Sequence, residues 1–192
     1  MISKSILSGM ALAAMLIASP AFAAGEHEGP VKDYVTKNIM PWLGSAEVVD
    51  AVKAQNAKNA NLGQADVDKL DKQWRAEVDA GAKPLIDATL GNALSKFLMA
   101  KKAEDPEVIT EMFVMDDKGL NVGQSDVTSD YWQGDEAKWQ KTFSMGPDAV
   151  FVDEIEKDES TQALQSQISV TIKDSSGAAV GAITIGINVE KL

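Results

Sequence analysis

Apolar positions in the first half of the chain recur at helical spacing. Val31, Tyr34, Val35 and Ile39 share one face, with Pro30 at a first helical position, where its missing N–H is not needed. Pro41-Trp42-Leu43-Gly44 interrupts that run, because proline blocks a ladder bond and restricts the residue before it. Ser45 is placed to cap a second run, Ala46 to Asn59, whose Val48, Val49 and Val52 lie together. Asn61-Leu62-Gly63 stops it. Val67, Leu70, Trp74 and Val78 step by 3, 4 and 4, a third helical face that ends at Gly81. Asp66, Asp68 and Asp71 fall mainly off this face and read as a solvated or capping trio rather than metal ligands. Pro84 opens a fourth helix that carries Leu85, Ile86, Thr89, Leu90, Ala93, Leu94, Phe97 and Leu98.

After Pro106 the period changes to two. Ile109, Glu111, Phe113 and Met115 alternate with Met112 and Val114. Asp116-Asp117-Lys118-Gly119 is turn chemistry, with the glycine free to take a positive φ, and Leu120 to Ser125 reads as the return strand. Phe151 to Glu156 is a third strand. In Gln162 to Lys173, Leu164, Ile168, Val170 and Ile172 alternate with Gln165, Gln167, Ser169 and Thr171. Asp174-Ser175-Ser176-Gly177 connects it tightly to Val180–Val189, where Ile183, Ile185, Ile187 and Val189 face one side. Short turns between consecutive strands imply an α+β domain: amino-terminal helices covering one face of a roughly five-stranded antiparallel sheet.

The first 23 residues read as a cleavable export signal, with Lys4, an apolar stretch from Ile6 to Ile17, a break at Ser19-Pro20 and Ala21-Phe22-Ala23 before the cut. That apolar stretch is short for a span of about 20 residues, and no second one exists. Residues 24–192 are then expected to form a single periplasmic domain that does not span the membrane. The formal charge is −11, one unit more negative once Lys4 is removed, which argues against nucleic acid and anionic lipid as partners. Cysteine is absent, and with it thiol nucleophiles and thiolate metal sites. The single histidine, His27, sits near the mature amino terminus, where fraying is expected. Histidine-based triads and zinc sites therefore lack their central residue, and no catalytic residue, metal or cofactor is assigned.

One stretch fits neither period. Ser125 to Trp139 holds two of the four tryptophans and one of the two tyrosines among Asp126, Asp130, Asp135 and Glu136. Aromatic walls with a few fixed polar groups make small-ligand pockets, and a carboxylate beside aromatic faces suits a cation. The alternative is scaffold: Trp132 and Trp139 anchor a long loop, while Asp135 and Glu136 cap a short helix starting near Gly134. Composition weighs the two evenly. Asp130 and Asp135 as a glycosidase pair, roughly 5–10 Å apart, would need a sugar cleft that nothing else in the chain indicates. Asp117-Lys118-Gly119 lacks the alternating acids of a calcium loop.

Phe113-Val114-Met115-Asp116-Asp117-Lys118-Gly119 followed by Asn121-Val122 and Ser125 resembles the start of the sheet in extracellular Cache sensor domains, the PDC-type, PAS-like fold. Thr128 to Glu136 with Lys138-Trp139 is similar to that family's loop-and-helix segment before the third strand. Ile168–Ile172 and Gly181–Ile185 resemble its last two strands. The similarity covers roughly residues 30–190. It implies a small metabolite (an amine, amino acid or small organic acid) held between sheet and loop, with Asp130, Tyr131, Trp132, Gln133, Asp135, Trp139 and Asp153 as ligand-binding residues. Arg75 is the only arginine and is distant in sequence from this segment, which departs from carboxylate-clamping members. The chain ends at Leu192 without a signalling domain, so occupancy would pass to a separate membrane sensor kinase or chemoreceptor. The other reading is a periplasmic protein-interaction module on the same scaffold, without a small-molecule site.

Overall fold

The first helix begins where Glu28 and Pro30 favour a start and buries Val31 and Val35 against the sheet. In the computed structural model, which describes residues 25–157 and 164–192, seven helices precede or interrupt five strands. The expected export signal lies outside the described residues, as do Gln162 and Ala163 of the fourth expected strand. The helices are α1 (Glu28–Asn38), α2 (Met40–Leu43), α3 (Ala46–Asn59), α4 (Gln64–Val78), α5 (Pro84–Leu90), α6 (Ala93–Glu104) and α7 (Ala137–Gln140). The strands are β1 (Ile109–Met115), β2 (Asn121–Gln124), β3 (Val150–Lys157), β4 (Leu164–Lys173) and β5 (Ala179–Asn188). They form one antiparallel sheet in the order β2-β1-β5-β4-β3. Among the described residues no helix is long and apolar enough to cross a membrane.

Period-two alternation divides the sheet. Met112, Val114, Ile168, Val170, Ile172, Ile183, Ile185 and Ile187 face the main core, against Val31, Val35 and Ile39, Val48 and Val52 of α3, and Leu94 and Leu98 of α6. The opposite face carries Phe113, Met115 and Ala182, covered by Trp139 and Phe143. A third cluster, Val67, Trp74, Ile86, Leu120 and Tyr131, joins α4 and α5 to the segment after β2. The chain between β2 and β3 thus leaves one edge of the sheet, packs on α4, and crosses the second face to the opposite edge.

Four expectations are corrected. The fourth helix is two: Gly91 ends α5 and the Asn92 side chain caps α6 by accepting the Ser95 N–H at 2.8 Å, since asparagine is a strong N-cap. Ile109 joins Met112 and Val114 in the main core rather than Phe113 and Met115, because a register shift between Ile109 and Glu111 reverses its phase. His27 does not fray. It is 7 % exposed, and its Nε2 bonds the Asp153 carbonyl oxygen at 2.9 Å, fastening the start of α1 to β3. The Asp66–Asp71 trio splits by role. Asp66 accepts the Gly63 N–H at 3.1 Å at the start of α4, whereas Asp71 is 8 % exposed and meets the segment after β2.

Candidate functional site

The β1–β2 turn positions the site. Gly119 takes φ +81°, and a Cβ built there would lie 2.6 Å from Gly134 Cα, so the two glycine backbones lie directly against each other. Asp116, fully buried, accepts the Lys118 and Leu120 N–H groups at 2.9 Å and the amides of Gln55 and Asn59 at 3.0 and 2.9 Å. A buried carboxylate needs such complete hydrogen bonding. The turn's carbonyls then hold the chain between β2 and β3, the insert: Trp132 Nε1 donates to Lys118 O at 2.8 Å and Trp139 Nε1 to Asp116 O at 3.1 Å.

Asp71 supplies the second fastening. Its Oδ1 accepts the N–H groups of Tyr131 at 3.0 Å and Trp132 at 3.1 Å, while its Oδ2 accepts Arg75 Nε at 2.7 Å. Arg75 Nη1 lies 2.7 Å from Asp130 Oδ1. The arginine that is distant in sequence therefore sits on the segment, but two carboxylates already hold it, so it offers no clamp for a ligand carboxylate.

The seven candidate residues do not gather around one space. Tyr131, 7 % exposed, stacks on Trp74 with ring centroids 5.2 Å apart, and burial pushes its phenol up to about 12. Gln133 is buried and donates to the Asp130 carbonyl at 3.1 Å. Asp130 pairs with Arg75, and Asp135 is exposed. Trp139 packs on Phe143 at 5.4 Å over the sheet and, with Trp132, borders a groove facing the α3–α4 turn. Asp153 alone lines the space that opens between the insert and the sheet.

That space is a cleft of about 220 Å³. The insert contributes Glu136 and Lys138, β3 contributes Asp153, Glu154 and Glu156, and β4 contributes Gln165 and Gln167. The strand period explains the lining: with Ile168, Val170 and Ile172 turned to the core, the polar alternates of β4 face the insert. Lys138 Nζ lies 2.7 Å from Glu136 Oε2 and 5.5 Å from the Phe113 ring centroid, so its charge is matched locally. Asp153, Glu154 and Glu156 remain as a surplus of negative charge. Gln167 Nε2 donates to Glu111 Oε1 at 2.8 Å and Thr110 Oγ1 to Gln165 Oε1 at 2.7 Å, which orients both glutamine amides. Asp153 also ties the cleft to α1, because its carbonyl accepts both His27 Nε2 and, at 2.8 Å, Ser166 Oγ. The sequence reading missed Glu136, Lys138, Glu154, Glu156, Gln165 and Gln167 as lining residues. The signal was the Gln165/Gln167 alternation opposite the acidic run 153–156.

No protein-family model and no curated protein matches the sequence. Among solved structures, the sensor domain of the V. cholerae histidine kinase DctB is similar at a TM-score of 0.49 and 10 % identity, covering 86 % of this chain and 53 % of that one. The ligand-binding domain of the Campylobacter jejuni chemoreceptor Tlp3, in complex with 4-methylisoleucine, is similar at 0.40 and 11 %, over 83 % and 64 %. The ligand-binding domain of the Pseudomonas aeruginosa PAO1 amino acid chemoreceptor PctC, in complex with GABA, is similar at 0.37 and 13 %, over 81 % and 62 %. The chain spans between about half and two thirds of the length of these domains. These structural neighbours are sensor or ligand-binding domains of a histidine kinase and of chemoreceptors.

Proposed function

We propose that this chain is an exported, periplasmic ligand-binding sensor module of Cache type that takes a small cationic metabolite, an amine above all. The observation that carries this reading is the cleft between insert and sheet, where four carboxylates face one lysine. A cation entering there meets Asp153, Glu154 and Glu156 as charge-assisted partners, and the glutamine amides of β4 fix its orientation. Asp153 is the sequence-derived candidate that touches the ligand. Asp130, Tyr131, Trp132, Gln133 and Trp139 act by holding the insert in place, and Asp135 adds negative field from the exposed side. Occupancy is read by a membrane sensor kinase or chemoreceptor through the contacts it favours.

Calorimetry and thermal melting against alkyl monoamines, diamines, amino acids and small carboxylates test it. A diamine at 100 times its Kd should stabilise the fold by about 2.7 kcal/mol, a rise of roughly 5–10 °C for a domain of this size. Asp153→Asn and Glu156→Gln should each weaken binding about ten-fold without lowering the unliganded Tm. If no compound in the panel shifts the melt, the reading fails. The protein-interaction alternative draws support from the inward packing of Tyr131 and Trp139 and from exposed Met145 (73 %) and Val150 (47 %) at the end of the insert. It predicts capture of a protein partner that is lost on Met145→Ser while no metabolite binds.

A further inference from the structure

The insert has a second concave side, and its chemistry is opposite to that of the acidic cleft. A groove of about 280 Å³ runs between the α3–α4 turn and the insert, walled by Leu62 and Val67 on one side and Trp132 and Trp139 on the other. Gly63, Gln64, Gly134 and Lys118 complete its lining. The chain holds 29 acidic residues against 18 basic ones, yet among the described residues no carboxylate lines this groove. Asp117, the neighbour of Lys118, is not among the lining residues.

The polar groups are already allotted, with one exception. Both indole N–H groups are turned away onto main-chain carbonyls, Trp132 onto Lys118 O and Trp139 onto Asp116 O. The two tryptophans therefore present ring carbon to the groove. The Gln64 amide donates to Asp68 Oδ1 at 2.8 Å. The Lys118 ammonium makes no hydrogen bond or salt bridge among the described residues, and its charge acts on the carboxyl of the adjacent Asp117. The arrangement is thus an aromatic and aliphatic slot whose lining holds a single cationic side chain. Such a slot stabilises a flat apolar body through ring contact and a single negative charge through the lysine.

We infer that this groove is a second binding site, and that its ligand class is a small ring-bearing carboxylate, with the ring between Trp132, Trp139 and Leu62/Val67 and the carboxylate on Lys118. The inference does not rest on the amine reading of the cleft. The two spaces are lined by different residues of one short helix and its cap, Glu136 and Lys138 towards the cleft and Trp139 towards the groove.

Benzoate, benzamide and benzylamine are matched probes for it, because they share a ring and differ in charge. In ¹⁵N–¹H spectra the four tryptophans give four indole cross-peaks. Titrating benzoate should shift those of Trp132 and Trp139 saturably and leave those of Trp42 and Trp74 in place. Benzamide and benzylamine should bind this site at least ten-fold more weakly. Lys118→Gln should weaken benzoate at least ten-fold with the affinity for benzamide and the Tm unchanged, whereas Asp153→Asn should leave benzoate binding as in the wild type. The inference is overturned if benzoate moves neither indole, if benzamide equals benzoate, or if Lys118→Gln binds benzoate as the wild type does. The wild-type benzoate-to-benzamide ratio decides the matter by itself should the variant not fold.

Discussion

Asp71 Oδ1 on α4 accepts the backbone N–H of Tyr131 at 3.0 Å, across 60 positions of sequence. The same oxygen takes the Trp132 N–H, and the other oxygen takes Arg75. One carboxylate thus satisfies two donors of an irregular segment that has no full ladder of its own. Asp71→Ala would leave both N–H groups without an acceptor and Arg75 with one partner fewer. The expected loss is about 2–4 kcal/mol, since a buried unsatisfied donor costs about 1–3 kcal/mol. Asp71→Asn keeps an oxygen acceptor and should cost about half as much. Urea unfolding followed by tryptophan fluorescence measures both; a wild-type midpoint for Asp71→Ala would refute this role.

Two glycines of similar φ separate backbone strain from crowding. Gly119 at +81° abuts Gly134, whereas Gly177 at +84° has nothing within 4 Å of a built Cβ. Gly177→Ala should cost only the left-handed penalty, roughly 1–2 kcal/mol. Gly119→Ala adds a main-chain collision that must part the β1–β2 turn from the insert, so a loss of about 3 kcal/mol or more is expected. Equal midpoints for the two variants would mean that the insert does not depend on that contact.

The sequence revealed what short-range periodicity and turn chemistry determine. The Val67/Leu70/Trp74/Val78 face became α4, Ile168/Val170/Ile172 became the core side of β4, and Asp116–Gly119 became the turn between β1 and β2. What it hid are meetings across long separations. Nothing near Asp71 distinguishes it from the exposed Asp66 until Tyr131 folds onto it, and His27 looks terminal until Asp153 offers its carbonyl. The aromatic residues were conspicuous in the sequence, but their conspicuousness reflects packing: Tyr131 fills a small core with Trp74, and Trp139 roofs the sheet. The cleft itself is lined by glutamines and glutamates of β3 and β4 that resemble an ordinary solvated strand face.

Both tyrosines should resist ionisation in the folded chain. Tyr131 is raised to about 12, by burial first and then by the Asp116 charge; Tyr34 is raised further, by burial and its hydrogen bond to Asp105. A phenol held above its ordinary value of 10.0 keeps its proton in the native state while the unfolded chain loses it. The Tyr131 contribution is therefore complete below pH 10 and is lost as pH rises towards about 12. Phenolate absorbance at pH 11 should be nearly absent in the native protein and appear for both tyrosines in urea. Ionisation of one tyrosine at pH 10 in the folded state would contradict the burial of Tyr131 against Trp74.

The β4–β5 turn should report at the acid end. Asp174 Oδ1 accepts the Ser176 hydroxyl at 2.6 Å, the Ser176 N–H at 2.9 Å and the Ala178 N–H at 3.2 Å, and Oδ2 lies 3.3 Å from Lys53. The Ser176 hydroxyl is the main cause that holds this carboxyl down at about 2, below its ordinary 3.8. A depressed carboxyl stabilises the fold when ionised, so its contribution is complete above about pH 4 and fades as pH falls towards 2. Asp174→Asn should thus lower the urea midpoint most at pH 6, by less at pH 3, and least near pH 2. Because the turn is solvated, its loss should also leave the sheet register intact, and amide exchange in β4 and β5 beyond the first pair should match the wild type. A difference between the two proteins that stayed constant from pH 6 to pH 2 would show that the turn depends on the shape of Asp174 and not on its charge.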